Sequence, residues 1–236
     1  MAIHTLYGFF IAGVILPRVT PKRREWWISL WCRQLLAVLN IRVIAHGNLP
    51  GAEVTSTMFV ANHVSWIDIH ALNSIHGLRF IAKSEIRGWP VFGWFAEKVY
   101  TLFTERTRRQ DAGRMVEITA DSLRAGDCLC FFPEGTTSDG TQILPFKGSL
   151  MQAAINAEAQ IWPVSIRYAN PDGSVNIEMA YYGEMNLLES VQLVIAQHSP
   201  VVELHFAEPI STQGYERRDL SILAKQTIAR GLNLHA

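Results

Sequence analysis

The residues with the clearest potential for chemistry are His63 and Asp68, which lie in the segment NHVSWID that begins at Asn62. An imidazole held by a carboxylate is a common general base near neutral pH. Five positions along one helix would turn the two side chains about 140° apart. We therefore predict a helix that begins near Ser65, with His63 in the preceding loop and Asp68 in the first turn, from which its carboxylate reaches back.

The same segment has a second interpretation. Ser65 and Asp68 have the spacing of a capping box, in which the carboxylate only satisfies backbone amides at a helix start. With eight histidines in the chain, His-x4-Asp is also short enough to arise by chance. However, His63 follows the apolar run 58–61, so it is expected just past a strand end, where α/β folds place ligand sites.

A second segment, FPEGTTSDG, runs from Phe132 to Gly140 directly after another apolar run. Its proline, glycines and hydroxyls are typical of a loop that offers backbone amides and hydroxyls to an anion. A tight turn with no binding role has a similar composition. The segment alone leaves both interpretations open, and its order after NHVSWID favours the functional one.

In this order, the two segments resemble the glycerolipid acyltransferase family, which includes 1-acylglycerol-3-phosphate acyltransferases. The resemblance spans residues 43–210, and the family block Asn-His-x4-Asp is matched in full. In Phe-Pro-Glu-Gly-Thr-Arg-Ser, Thr137 replaces the arginine. In Gly-x-x-Phe-x-x-Arg, Phe103 and Arg106 match, whereas Tyr100 replaces the glycine. The segment FKG around Lys147 and the segment WPV further on resemble two downstream elements of the family.

The resemblance implies an O-acyltransferase. His63 would remove the proton of an acceptor hydroxyl as it attacks an acyl thioester, and Asp68 would hold the imidazole tautomer and stabilise its charged form. Residues expected to bind the acceptor are Asn62, Arg106, Glu134, Gly135, Thr136, Thr137 and Lys147. Arg106 and Lys147 are expected to contact its phosphate. A two-step route through an acylated Ser65 or cysteine is the alternative mechanism.

The implied acceptor is 1-acylglycerol-3-phosphate, which would give phosphatidate. Thr137 weakens recognition of a dianionic phosphate, and FPEGTTSDG followed by LPF resembles the lyso-ornithine lipid acyltransferase branch. O-acylation of a lyso-amino-acid lipid is therefore the alternative. From other classes, a non-catalytic lipid-binding protein or a thioesterase is possible. Acyl-CoA and an acyl carrier protein both suit as donor substrate, and no cofactor or metal is expected.

Composition restricts the partners and the compartment. A formal net charge of zero argues against a nucleic-acid binder. Three cysteines, with a Cys-x-Cys spacing that is unlike a zinc site, fit reduced thiols in the cytoplasm. Basic residues at 22–24 and at 106, 108 and 109 are suited to anionic headgroups or an acidic carrier, and the alternative for each group is a solvated charged face. We expect a peripheral or monotopic protein on the cytoplasmic face of the cell membrane.

Residues 1–42 are predicted to form a membrane-associating segment of two helices. The apolar run 6–16 falls short of the roughly 20 residues that span a bilayer, and it lacks the flanks of a signal peptide. The helix predicted at 25–40 follows a basic turn, and its tryptophans are typical of a membrane interface. The alternative is a hairpin packed on the protein's own core.

Residues 43–236 are predicted to form one α/β acyltransferase domain with a mixed, twisted β-sheet flanked by helices. Predicted strands cover residues 58–61, 79–82, 99–103, 128–132, 162–166, 175–181 and 201–206. Predicted helices cover residues 67–75, 93–97, 110–125, 149–157, 187–196 and 217–232. Trp89, Trp94 and Phe95 are expected in the core, with lining of an acyl tunnel as the alternative.

Overall fold

The computed structural model describes residues 2–104 and 109–234. Within those residues, one mixed sheet of seven strands is flanked by helices, which confirms the predicted fold class. The strands are β1 Arg42–Gly47, β2 Thr57–Ala61, β3 Arg79–Lys83, β4 Leu102–Thr104, β5 Cys128–Phe131, β6 Gln160–Ala169 and β7 Val201–Phe206. The helices are α1 Ala2–Phe10, α2 Pro21–Val38, α3 Ile67–Ile75, α4 Phe92–Lys98, α5 Arg109–Arg124, α6 Met151–Asn156, α7 Leu187–Ala196 and α8 Arg217–Gly231.

The strand order across the sheet is β1-β7-β6-β2-β5-β3-β4. Neighbouring strands are parallel except for β6 and β7, which are antiparallel. The strands β2 to β6 therefore all run in one direction, and their carboxyl ends meet at one edge of the sheet. We call this the carboxyl edge. The loops that follow β2 and β5 meet there.

Two hydrophobic cores lie on opposite faces of the sheet. Phe59 of β2 faces the core shared with α2, α3 and α7. Its neighbours Met58 and Val60 face the core shared with α5, α6 and α8. This alternation follows from the two-residue period of a strand. Because helices cover both faces, β2 and β5 are buried along their whole length, as their continuous apolar runs predict.

The sequence prediction was wrong at several elements. The strand predicted at 175–181 is a loop with a short 3-10 turn, Ile177–Met179, and a single bridge to β6. The reason is that β6, the strand this segment meets, already has β2 and β7 as neighbours, so only its last residue is free to form the bridge. The strand predicted at 99–103 begins later and is shorter, since β4 covers only Leu102–Thr104. The edge strand β1 was not predicted, because it is half-exposed and has no clear alternating pattern.

The amino-terminal segment is a helical hairpin. After α1 the chain continues through a π-helical turn, Ile11–Ile15, and a 3-10 turn, Leu16–Arg18. Helix α2 begins at Pro21, earlier than the predicted residue 25, because proline suits the first position of a helix. No helix in the described parts of the chain is both long and apolar enough to cross a bilayer.

The hairpin has one packed side and one exposed side. Ile11, Ala12 and Leu16 are buried against aromatic rings of α2 and α4. On the other side, four apolar residues of the first 14 are exposed at helical spacing. They are Ile3, Leu6, Phe10 and Val14, and we call them the α1 stripe. Of the three aromatic residues predicted in the core, Trp94 and Phe95 do pack with the hairpin, but Trp89 is 41% exposed, so that prediction was wrong.

Candidate active site

The site begins where β2 ends. The side chain of Asn62 replaces one step of the sheet, since its Nδ2 donates to the carbonyl of Ile166 at 2.9 Å and its Oδ1 accepts from the amide of Ile166 at 2.7 Å. Both polar ends of the buried Asn62 side chain are thereby bound to β6. This contact holds the start of the following loop against the sheet, and the loop carries His63 to the carboxyl edge.

His63 and Asp68 are in hydrogen-bond contact. The distance between His63 Nδ1 and Asp68 Oδ2 is 2.8 Å. The α3 helix begins at Ile67, so His63 lies in the preceding loop and Asp68 in the first turn, as the spacing predicts. The Asp68 side chain is fully buried, whereas that of His63 is 18% exposed. Because Nδ1 is bound to the carboxylate, Nε2 is the ring nitrogen left to accept a proton.

Asp68 also binds three other groups. Its Oδ2 accepts from the amides of Val64 at 2.7 Å and Ser65 at 3.0 Å, and its Oδ1 accepts from the Tyr168 hydroxyl at 2.6 Å. The capping interpretation and the histidine–carboxylate interpretation therefore hold together. Burial, reinforced by the nearby Asp68 charge, raises the pKa of Tyr168. Tyr168 consequently stays protonated and donates to the carboxylate across the working pH range.

An aromatic stack fixes the plane of the His63 ring. The ring of Phe132 lies parallel to the imidazole, with centroids 3.8 Å apart and an interplanar angle of 7°. Phe132 also stacks with Phe80 of β3, with ring centroids 5.9 Å apart. The stack therefore joins rings that follow β2 and β5 to a ring within the neighbouring strand β3. The imidazole is held in one orientation by the stack and by its bond to Asp68.

Glu134 joins two loops. Its Oε1 accepts from the backbone amide of His63 at 2.7 Å, and its Oε2 accepts from that of Leu144 at 2.8 Å. The side chain is 3% exposed. Burial raises the pKa of Glu134, and the two amide bonds oppose this rise because they stabilise the ionised form. Through these two contacts, Glu134 fixes the backbone of the loop that carries His63 against the segment that contains Leu144.

The remaining motif residues surround this centre. Gly135 has φ +70° and closes a turn in which its amide donates to the carbonyl of Phe132 at 3.0 Å, a conformation that favours glycine. Thr136 is exposed and Thr137 half-buried. The exposed Lys147 is held beside the loop because its amide donates to the carbonyl of Pro133 at 2.8 Å.

Arg106, the predicted phosphate contact, lies outside the described residues. The amide of Ser138 donates to the carbonyl of His63 at 2.9 Å, which ties the FPEGTTSDG loop to the loop after β2. The two segments singled out in the sequence are therefore physically joined. No cluster of three His, Cys, Asp or Glu side chains within residues 2–104 and 109–234 is arranged to hold a metal ion.

Sequence reasoning missed Tyr168 and the stacking role of Phe132. Tyr168 stands at the end of an apolar strand, where a tyrosine usually only packs. A weak signal was available, because Val164, Ile166 and Tyr168 alternate with polar residues and must share one face of β6. That face is the one shared with α3. Only the strand order places the Tyr168 hydroxyl against Asp68.

Comparisons with known proteins agree with this site. A sequence model described as Acyltransferase matches residues 41–167. A lyso-ornithine lipid O-acyltransferase from Pseudomonas aeruginosa is 35% identical over 217 residues, which cover 91% of this chain and 81% of that protein. A 1-acyl-sn-glycerol-3-phosphate acyltransferase from Neisseria gonorrhoeae is 35% identical over 161 residues, which cover 68% of this chain and 63% of that protein.

A solved structure shares the fold. The crystal structure of the 1-acyl-sn-glycerophosphate acyltransferase PlsC from Thermotoga maritima superposes with a TM-score of 0.66 at 23% identity, covering 98% of this chain and 94% of that one. The chain belongs to the acyltransferase family, as the resemblance of its motifs implies, and it is an acyltransferase enzyme.

Proposed function

We propose that this acyltransferase moves a fatty acyl group from an acyl thioester to the free hydroxyl of a lysolipid, with His63 as general base. The observation that carries the proposal is the contact between the partly exposed His63 ring and the fully buried Asp68 carboxylate. A buried carboxylate stabilises the imidazolium that forms when the base takes a proton. A catalytically silent lipid-binding protein would have no need to bury this charge.

The chemical steps follow from this pair. His63 Nε2 removes the acceptor proton as the hydroxyl oxygen attacks the thioester carbonyl, so a C–O bond forms and the carbonyl becomes an oxyanion. The oxyanion then collapses, the C–S bond breaks, and the imidazolium returns the proton to the leaving thiolate. Asp68 holds the Nδ1–H tautomer throughout, and Tyr168 and the loop amides hold Asp68. Direct transfer therefore requires no enzyme nucleophile.

The alternative route through an acyl-enzyme is less well supported by the geometry. Ser65 has no exposed surface. The three cysteines are also buried, and burial raises the pKa of the Cys128 thiol to about 12. A buried thiol that stays protonated is a poor nucleophile. We therefore favour one-step transfer over acylation of Ser65 or of a cysteine.

For the acceptor we place a lyso-amino-acid lipid, such as a lyso-ornithine lipid, ahead of 1-acylglycerol-3-phosphate. Thr137, at the edge of the site, offers a hydroxyl where a fixed positive charge would suit a dianionic phosphate. The similarity to the Pseudomonas aeruginosa protein also extends over most of both chains. The exposed Lys147 supports 1-acylglycerol-3-phosphate as the second candidate acceptor, because it lies beside the FPEGTTSDG loop and could contact a phosphate.

We further propose that residues 1–42 hold the enzyme to the cytoplasmic face of the membrane, while residues 43–236 perform the reaction. The α1 stripe supports this, since Ile3 is 85% and Leu6 68% exposed. The exposed Lys22 and Arg23 at the start of α2 could meet anionic headgroups. Acyl-CoA or an acyl carrier protein would supply the acyl group, and no further cofactor is needed.

The central test is a paired assay of the wild type and His63→Ala. Each enzyme is offered a labelled acyl thioester with either lyso-ornithine lipid or 1-acylglycerol-3-phosphate. We expect transfer to the first acceptor to exceed transfer to the second, and we expect His63→Ala to lower kcat by about 10³–10⁴-fold with either one. His198→Ala, at an exposed histidine, is the control and should behave as wild type.

Each outcome has a distinct meaning. A His63→Ala variant with near-full activity would remove His63 as the base. Equal thioester loss with and without acceptor would identify a thioesterase instead. Preference for 1-acylglycerol-3-phosphate would reverse our order of the two acceptors and leave the mechanism intact.

A further inference from the structure

Four consecutive apolar residues are exposed where the chain that follows β3 enters α4. Trp89 is 41%, Val91 43% and Phe92 42% exposed, and Pro90 between them is exposed as well. We call residues 89–92 the apolar turn. Soluble proteins avoid consecutive exposed apolar residues unless the residues have a function, because such runs promote association.

The apolar turn has an unusual and fixed backbone. Val91 has φ +67° and ψ −57°, and the amide of Phe92 donates to the carbonyl of Pro90 at 2.7 Å. This is a γ-turn with a positive central φ, a rare and strained form, and a β-branched residue raises the cost. At its base, a Cβ on Gly93 would lie only 2.2 Å from the carbonyl oxygen of Arg87, so the chain packs tightly there.

A loop that only connects β3 to α4 would not need both a positive φ at a valine and exposed apolar side chains. A glycine at position 91 would adopt the positive φ without strain and would expose no side chain. Here a strained valine points an apolar side chain to the surface between two exposed aromatic residues. Strain of this kind persists where the surrounding structure enforces it, and it is concentrated at functional positions.

The apolar turn lies beyond the carboxyl end of β3 and next to the amino-terminal hairpin. Strand β3 is the neighbour of β5, which leads into the FPEGTTSDG loop, so the chain approaches the turn from the carboxyl edge. Helix α4, which follows the turn, packs on α1, since the ring of Phe9 lies 5.0 Å from Trp94 and 4.7 Å from Phe95. The turn therefore adjoins the packed side of the hairpin, whose other side carries the α1 stripe.

We propose that the apolar turn inserts into the lipid surface as a second membrane contact, separate from the α1 stripe, and holds the carboxyl edge against the bilayer. The inference rests on the proposed function, in which the acceptor is a membrane lipid. Two contacts at different elements restrict the tilt of the enzyme, whereas one helix alone leaves it free to rotate. The restricted tilt would bring the acceptor hydroxyl to His63.

A lipid surface suits this turn better than a protein partner. Tryptophan and phenylalanine are well suited to the interfacial region of a bilayer. Four residues are far fewer than the roughly 20–30 per side of a stable protein interface. The neighbouring Arg87 is paired with Glu97 at 3.0 Å, so its charge is already balanced and is not left to select an acidic protein.

The test uses the full-length chain with the double substitution Trp89→Ser and Val91→Gly. Flotation with vesicles of uncharged phosphatidylcholine, and with vesicles that also contain an anionic lipid, measures the partition coefficient. We expect about a tenfold fall with both vesicle types, because the lost contact is apolar. A Lys22→Ser and Arg23→Ser variant should lose binding only to the anionic vesicles.

Activity separates membrane docking from a direct effect on the site. Transfer to a long-chain lysolipid acceptor in vesicles should fall about tenfold in the double variant. Transfer to a short-chain acceptor dissolved below its micellar concentration should stay within about twofold of wild type. The matched control, Ile118→Ser with Ile222→Ser, removes two side chains that are 41% and 47% exposed on α5 and α8, and it should change neither reaction.

Several results would overturn the inference. One such result is that the double variant floats with vesicles as well as the wild type does. Another is that its transfer activity falls as much with the dissolved acceptor as with the acceptor in vesicles, since the turn would then act on the site itself. A wild-type dimer that the double variant loses, with vesicle binding unchanged, would identify an interface between copies. If the wild type acylates no lysolipid, the proposed function fails, whereas flotation still decides whether the turn inserts.

Discussion

The loop after β2 and the apolar turn after β3 both leave the carboxyl edge of the sheet, yet they are built in opposite ways. In the loop after β2, Asn62 is bound to β6 and Asp68 is fully buried with four hydrogen-bond partners. In the apolar turn, Val91 has a strained backbone and its side chain is 43% exposed.

Under the functions we propose for the two regions, the difference reflects two separate requirements. A buried carboxylate is costly unless donors surround it, and those donors also fix the geometry that the base requires. A surface for lipid instead requires apolar side chains that the protein leaves uncovered. Changes in the loop after β2 should therefore reduce activity strongly, while changes in the apolar turn should leave the fold intact or improve its stability.

The largest expected effect tests the charge of Asp68. In Asp68→Asn the amide oxygen can still face His63, and the amide nitrogen can donate to Tyr168 if the hydroxyl rotates, so the fold should persist. The imidazolium would lose its countercharge, so we expect kcat to fall about 10³-fold. Steady-state kinetics measure this loss, and Asp172→Asn, at an exposed aspartate, is the control. A folded variant with less than a tenfold loss would contradict the role of Asp68.

The second effect concerns the connection between loops. In Glu134→Gln the new amide nitrogen must face the amide of either His63 or Leu144, which places donor against donor. The free energy of unfolding should fall by about 1–3 kcal/mol, measured by urea denaturation. The exposed Glu184→Gln is the control. Equal stability of Glu134→Gln and wild type would show that the two amide bonds add nothing.

The same residue predicts a pH dependence. Burial raises the pKa of Glu134 above its unfolded-state value. The wild type should therefore lose stability as the pH rises from the unfolded-state value through the folded-state value. Glu134→Gln should lack this step. Urea denaturation of the wild type and Glu134→Gln at a series of acidic pH values measures how the free energy of unfolding of each protein depends on pH.

A smaller effect is expected from Tyr168→Phe, which removes one donor to the Asp68 carboxylate. One oxygen of the carboxylate then has no donor, so Asp68 holds His63 less firmly in its orientation. The value of kcat should fall about tenfold. Tyr182→Phe, at an exposed tyrosine, is the control. An unchanged kcat would reduce Tyr168 to a packing residue.

The smallest effect is expected in the apolar turn. Val91→Gly relieves the positive φ but adds chain entropy to the unfolded state, so the free energy of unfolding should rise by no more than about 1 kcal/mol. Val91→Ala is the matched control, since it shortens the side chain and keeps the strained φ. Thermal unfolding measures the stability of the wild type and of the two variants. A glycine variant that is less stable than the alanine variant would break the contrast between the two regions.

Local features of the sequence were sufficient for several elements. Helices α3 and α7 have the predicted bounds. At α7 the reason is visible, because the Asn186 side chain accepts from the amide of Glu189 at 2.9 Å and caps the helix. The placement of His63 before a helix and Asp68 within it follows from helix geometry alone. Periodicity and caps act over a few residues, so one segment contains the information.

Local patterns were therefore enough to predict the class of fold, the two motif segments and the placement of His63 and Asp68. The order of strands in the folded chain was needed to bring the Tyr168 hydroxyl, 100 residues beyond Asp68, to its carboxylate, to join two loops through Glu134, and to limit residues 175–181 to a single bridge. These contacts depend on the order of strands in the sheet and on which edges are already paired. That order is a property of the whole chain, so no local pattern contains it.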